Sequence, residues 1–163
     1  MVRIIKVQLN EYKNKNKNKR TKLIYNAQRD GGNYKYCHDK CNKTPNTFSI
    51  VTTNKEHKFG FFKSIPINGD GPWVNDDKAF FFSYDKNKIY KVQKGIYAIG
   101  FDNSCFIQTK VFTLSGNILT DKFICVNKNE MNKNFEGFTE DYELNCGEKE
   151  FYVKKFEVYQ LEY

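Results

Sequence analysis

Short runs of apolar residues, separated by polar turn residues, repeat along most of the chain. The runs at 47–53 and 57–62 flank a polar turn, as do those at 79–84 and 89–92. Each pair is typical of a β-hairpin. Further runs predict strands at 2–9, 96–101, 105–107, 111–114 and 123–126. Short strands at such regular spacing predict antiparallel sheets packed as a sandwich or barrel.

The last apolar segment, at 150–161, is predicted to be a strand near the centre of the fold. Phe151 and Val153 have one parity, whereas Phe156 and Val158 have the other. A strand with apolar residues on both faces is typical of a position between two layers. The polar stretch at 127–134 is predicted to be a loop.

One segment has helical spacing. Tyr34, Cys37, His38 and Cys41 recur at i, i+3, i+4 and i+7, and Asn33 stands where an N-cap is expected. The spacing predicts a short helix over 33–42.

Positive charge is concentrated at the start of the chain. The net charge is +8, of which residues 1–22 contribute +7 and residues 23–163 only +1. We therefore distinguish a basic N-terminal segment at 1–22, a short strand followed by a Lys/Asn-rich stretch, from a domain at 22–163. The Lys/Asn-rich stretch predicts flexibility, because it has few apolar groups to offset the entropy of ordering. The alternative is that residues 1–22 bind nucleic acid or an anionic membrane weakly.

Cysteine usage and hydropathy bear on the cellular compartment. The five cysteines have irregular spacing, and the sequence contains no apolar run long enough to cross a membrane. These features predict a cytoplasmic protein with reduced thiols. We expect it to be a monomer.

An ordered series of motifs resembles one known family. Arg29-Asp30-Gly31 is followed by His38-Asp39-Lys40-Cys41, then by Ala79-Phe80-Phe81-Phe82-Ser83, and finally by Phe156-Glu157-Val158-Tyr159. In this order they resemble the TLDc domain of the oxidation-resistance family, in a divergent, protist-type form. The family's usual glycine-rich segment has no counterpart at 106–112, which contains no glycine.

This resemblance implies an α+β, mainly β fold, namely a two-layer antiparallel β-sandwich with short flanking helices. It also implies an association with the oxidative-stress response and, as in several members, binding to the vacuolar-type proton-pumping ATPase. It implies no cofactor.

Cys37-His38-x-x-Cys41 comes nearest to a metal-binding motif. A closed zinc site needs four ligands, and no second paired motif follows, since Cys146 stands alone and His57 falls in a predicted strand. We therefore predict no metal, and interpret the two cysteines as half-buried packing groups. A redox-sensing or catalytic role for Cys41, with His38 and Glu157, remains an alternative.

Five residues are candidates for binding. Asp30, next to Arg29, is expected to bond turn amides, and Glu157, in a strand predicted to be buried, needs a partner for its charge. Trp73 lies in a predicted loop rich in glycine, where it either anchors the loop or contacts a partner. The candidate binding residues are Arg29, Asp30, His38, Trp73 and Glu157.

No GxGxxG, Walker A, HExxH or GxSxG pattern occurs, so nucleotide-binding and hydrolase functions have no support. The leading hypothesis is a non-enzymatic protein-interaction domain, with the vacuolar-type ATPase as a candidate partner by resemblance. The alternatives are the redox or catalytic role of Cys41, His38 and Glu157, and weak nucleic-acid or membrane binding through residues 1–22.

Overall fold

The computed structural model describes residues 20–41, 43–66, 71–96, 99–101 and 105–162. The predicted strand at 2–9 and the Lys/Asn-rich stretch lie outside the described residues. No helix among the described residues is long and apolar enough to cross a membrane.

A large antiparallel sheet forms the framework. Its strand order is β1-β11-β2-β3-β5-β6, and β10 pairs with the first part of β11. The strands are β1 (Arg20–Asn26), β2 (Thr47–Thr53), β3 (Lys58–Lys63), β5 (Phe80–Ser83), β6 (Lys88–Lys91), β10 (Lys122–Ile124) and β11 (Glu150–Glu162). Both predicted hairpins are therefore present, as β2–β3 and β5–β6. His57 lies in the turn before β3 rather than in a strand, so that prediction was wrong.

Two small sheets and the helices lie beside this framework. The small sheets pair β4 (Gly71–Val74) with β7 (Ile99–Phe101), and β8 (Cys105–Gln108) with β9 (Thr113–Ser115). The helices are α1 (Ala27–Asp30), α2 (Tyr34–Cys41), α3 (Lys128–Met131) and a 3₁₀ turn (Glu143–Asn145). The predicted helix at 33–42 is thus confirmed as α2, and the Asn33 side chain accepts a hydrogen bond from the Lys35 amide at 2.9 Å.

The predicted α+β, mainly β class is confirmed. One expectation fails locally, because α3 replaces part of the loop predicted at 127–134. Its N-cap is Asn127, whose side chain accepts from the Glu130 amide at 3.0 Å. This short polar helix has too few apolar positions to show a helical period.

β11 is a strand, as predicted, and it lies between β1 and β2 in the large sheet. Its pairing with β2 shifts register between Val153 and Lys155, where two residues of β11 face one of β2. Such a bulge inverts the parity of the strand. Phe151 and Val153 before it, and Phe156 and Val158 after it, therefore all enter the same core cluster. The parity read from sequence had placed them on opposite faces.

The other face of the large sheet carries a second, smaller cluster of buried side chains, Phe62, Phe80, Phe82 and Leu161. Alternation along β3 and β5 sends successive phenylalanines to opposite faces, so Phe59, Phe61 and Phe81 join the main core. Gly60 permits this packing, because a methyl group there would overlap the Phe82 ring and the Ser49 carbonyl oxygen.

Candidate protein-interaction surface

Asn26 connects the end of β1 to α1. It has an extended backbone and is the N-cap of α1, where its side-chain oxygen accepts from the Arg29 amide at 3.0 Å. In return, the Asn26 amide donates to Asp30 Oδ2 at 2.9 Å. This reciprocal pattern resembles a capping box, which satisfies amides that a helix start leaves without partners. It explains how a helix of only four residues keeps a defined orientation.

Asp30 is the buried centre of an ion-pair cluster. Arg29 donates to its two oxygens at 2.8 and 2.7 Å, and Lys40 of α2 donates at 3.0 Å. Its side chain is only 7% exposed. The hydrogen bond from Arg29, helped by the Asn26 amide and Lys40, holds the pKa of Asp30 well below its ordinary value. Asp30 is therefore an ionised structural anchor that ties α1 to α2. The amide that Asp30 bonds is that of Asn26 at the start of α1, whereas the sequence predicted bonds to turn amides.

Glu157 is held in a similar way on β11. It accepts from Asn26 Nδ2 at 3.2 Å and from Lys155 at 2.9 Å, with a side chain that is 12% exposed. The expectation that this carboxylate requires a partner is met by these two groups. Burial, together with the nearby Tyr159 and Glu157, raises the pKa of Tyr84 to about 12. Glu157 therefore contributes negative charge at the margin of the second aromatic cluster.

Three of the five predicted binding residues are thus brought together. Arg29, Asp30 and Glu157 meet through Asn26, which is not among the predicted binding residues. An asparagine just before a helix is a detectable N-cap signal. Its contact with Glu157, 131 positions away, depends on the pairing of β1 with β11, where Asn26 lies opposite Glu157.

His38 and Cys41 do not share the Glu157 contacts described above. His38 lies on α2 with its ring 6.2 Å from that of Tyr34. Cys41 is buried in the main core, and its Sγ lies 3.8 Å from that of Cys37. The hydrogen bond between these thiols, together with burial, raises the pKa of Cys37 well above its ordinary value. Both cysteines are more buried than expected and have the environment of packing groups.

Trp73 belongs to a different part of the fold. It lies in strand β4, not in a loop as predicted. Its ring packs closely over Gly100 of β7, and Lys110 Nζ lies 5.7 Å from the ring centroid. The ring is thus anchored by its neighbours, which is one of the two roles considered for it. It is also 38% exposed, and contact with a partner stays a prediction.

Three exposed cations pair with the two buried carboxylates, and together with the exposed Tyr36 we call them the α1–α2 face: Arg29, Tyr36, Lys40 and Lys155. Tyr36 is 53% exposed, and its ring packs against Gly31, whose φ of 102° favours glycine. Gln28 donates to the Lys154 carbonyl oxygen at 2.6 Å, so α1 is also fastened to β11. The face is therefore an ordered basic and aromatic surface.

Comparison with known proteins agrees with this framework. No curated protein matches the chain. The family model of the TLDc domain does match, and the match begins within the basic N-terminal segment. The domain boundary predicted at residue 22 stays a prediction. Because the match covers residues 3–162, the chain belongs to the TLDc domain family.

Proposed function

We propose that this TLDc domain is a non-enzymatic interaction module that binds an acidic surface of a protein partner through its α1–α2 face. The observation that carries the proposal is the exposure of Tyr36 and Arg29 on a face ordered from beneath by Asp30 and Glu157. Tyrosine and arginine are enriched among residues that dominate binding energy at protein interfaces.

The charges of this face favour an acidic partner. Arg29, Lys40 and Lys155 extend into solvent, whereas the carboxylates that hold them are buried below. The α1–α2 face and the two carboxylates below it together have three cations and two anions, and the cations are the groups exposed to solvent. Such a surface attracts an acidic patch and excludes a basic one.

Preorganisation supports the same conclusion. The two hydrogen bonds from Arg29 to Asp30 fix the guanidinium plane before any partner arrives. Ordering a long side chain on binding costs about 0.5–1.5 kcal/mol, and a side chain that is already ordered avoids part of this cost.

The vacuolar-type proton-pumping ATPase is the candidate partner that the family resemblance supplies. A cytoplasmic location, a monomeric state and a role in the oxidative-stress response belong to the same proposal. The decisive measurement is binding of the purified ATPase to the immobilised domain at several salt concentrations. We expect affinity to fall as salt rises, because the attraction between exposed charges is screened.

Two substitutions address the face directly. Arg29→Ala and Tyr36→Ala should each weaken binding by at least roughly tenfold, as loss of an interface hot spot does. Lys133→Ala and Tyr152→Ala are matched controls, because both side chains are exposed elsewhere on the domain. Unchanged binding in both face variants would exclude this surface.

A wider search covers other partners. Cross-linking and capture from cell extract under resting and oxidising conditions should recover a protein that depends on Arg29 and Tyr36. Recovery of no protein above background in either condition, together with no binding to the ATPase, would contradict the proposed function.

A further inference from the structure

Three potential metal ligands from distant parts of the sequence meet at one end of the large sheet. His57, Asp85 and Cys146 each offer one donor atom, and these atoms all lie within 4.8 Å of one another. Cys146 stood alone in the sequence, and His57 was assigned to a strand, so local spacing gave no indication of this cluster.

The topology explains why the first two meet. His57 ends the β2–β3 turn and Asp85 lies in the β5–β6 turn, and these turns are neighbours because β3 pairs with β5. The Lys58 amide donates to Asp85 Oδ2 at 2.7 Å, which fixes the carboxylate beside the β2–β3 turn. A carboxylate has further acceptor positions, so this bond leaves capacity for a metal.

Cys146 reaches the same place from the segment that precedes β11. It ends the 3₁₀ turn in a left-handed conformation with φ of 53°, which is uncommon for a residue with a side chain. The Cys146 amide donates to the Glu143 carbonyl oxygen at 3.3 Å, and the Gly147 amide donates to that of Tyr142 at 3.1 Å. This turn contacts β3 and β5, so it presents the half-buried thiol to the ends of both strands.

Asp85 and a Cys146 thiolate would both bring negative charge to this place, and the adjacent Lys86 is already paired with Glu140 at 2.8 Å. A divalent cation bound between the sulfur and the carboxylate would offset both negative charges and favour the deprotonated thiol.

We propose that His57, Asp85 and Cys146 form a zinc site that clamps these three loops together. Thiolate, imidazole and carboxylate are all ligands of Zn²⁺, whereas Mg²⁺ and Ca²⁺ select oxygen ligands. Bonds of about 2.0–2.3 Å to a tetrahedral zinc place these donor atoms roughly 3.3–3.7 Å apart, so the loops need to close by at most about 1.5 Å from the observed limit of 4.8 Å. Three protein ligands leave one coordination position for water or a partner's side chain. This inference does not depend on the proposed function.

Cobalt spectroscopy of the reduced, chelator-treated protein tests the site. Co²⁺ should bind with one-to-one stoichiometry, give a thiolate-to-cobalt charge-transfer band together with the visible bands of tetrahedral cobalt, and be displaced by Zn²⁺. Zinc affinity is then measured by competition with a chromophoric chelator.

Three variants assign the ligands. Cys146→Ser should abolish the charge-transfer band, and His57→Gln and Asp85→Asn should each weaken zinc binding by at least roughly tenfold. Asp85→Asn retains an acceptor oxygen for the Lys58 amide, so it preserves the turn while removing the charge. His38→Gln and Cys37→Ser, in the other cysteine–histidine pair, are matched controls that should bind zinc as the parent chain does.

Several results would overturn the proposal. These are the absence of stoichiometric zinc binding, a cobalt spectrum without a thiolate band, and loss of binding in the controls. Zinc affinity equal to that of the parent chain in all three ligand variants would also overturn it. Circular dichroism of each apo variant verifies that it is folded. Should one fail to fold, the parent chain's cobalt spectrum and the remaining variants still decide the question.

Discussion

The contact between Asn26 and Glu157 gives the sharpest test of the candidate surface. Asn26→Asp keeps a good N-cap for α1, because aspartate caps a helix about as well as asparagine. It removes the donor that Glu157 uses and places a second carboxylate beside it. The perturbation therefore separates the long-range contact from the local cap.

The magnitude follows from the geometry. Loss of a hydrogen bond to a charged group costs about 1.5–3 kcal/mol. Two carboxylates at the observed 3.2 Å would repel by about 5 kcal/mol at an effective dielectric constant of about 20. Lys155, which already pairs with Glu157, and rotation of the new side chain towards solvent reduce that repulsion. We expect a total loss of about 3 kcal/mol in the free energy of unfolding.

Reversing the polarity of the pair should restore stability. In the double variant N26D/E157Q, the new amide at position 157 donates to the new carboxylate at position 26. We expect it to lie within about 1 kcal/mol of the parent chain, with a coupling of about 2 kcal/mol between the sites. Urea denaturation at neutral pH, followed by circular dichroism, measures all four proteins.

Asn127→Asp is the matched control, because Asn127 caps the equally short α3. Its effect should be less than about 1 kcal/mol. The reasoning would be refuted if Asn26→Asp cost no more than this control, or if the effects of N26D and E157Q were simply additive.

Three further predictions concern the core and the thiols. Gly60→Ala should lower the free energy of unfolding by about 2 kcal/mol in urea denaturation, because the methyl group would overlap the Ser49 carbonyl oxygen and the Phe82 ring; a loss of less than about 0.5 kcal/mol would contradict this prediction. Burial lowers the pKa of Lys63 to about 8, so its folded form releases a proton before its unfolded form does. The stability of the parent chain relative to Lys63→Met should therefore rise between pH of about 8 and about 10.5, and a constant difference would refute this. In the metal-free protein, time-resolved alkylation followed by mass spectrometry should label Cys146 before the three buried thiols, and the reverse order would be inconsistent with the burial of Cys37, Cys41 and Cys125.

The sequence determined the features that depend on neighbouring residues. Apolar alternation and turn residues placed the β2–β3 and β5–β6 hairpins within one or two positions, because a hairpin forms between adjacent segments. The helical spacing after Asn33 predicted α2 in the same way. The motif order also indicated the family to which the chain belongs.

Tertiary structure decided what depends on contacts between distant segments. The bulge in β11 arises from pairing with β2, so parity along the sequence could not reveal that Phe151 and Phe156 share one core. Asn26 meets Glu157 only because β1 lies beside β11. His57, Asp85 and Cys146 converge only because the three loops that carry them lie at the same end of the large sheet. No pattern of neighbouring residues in the sequence indicates which loops will lie together.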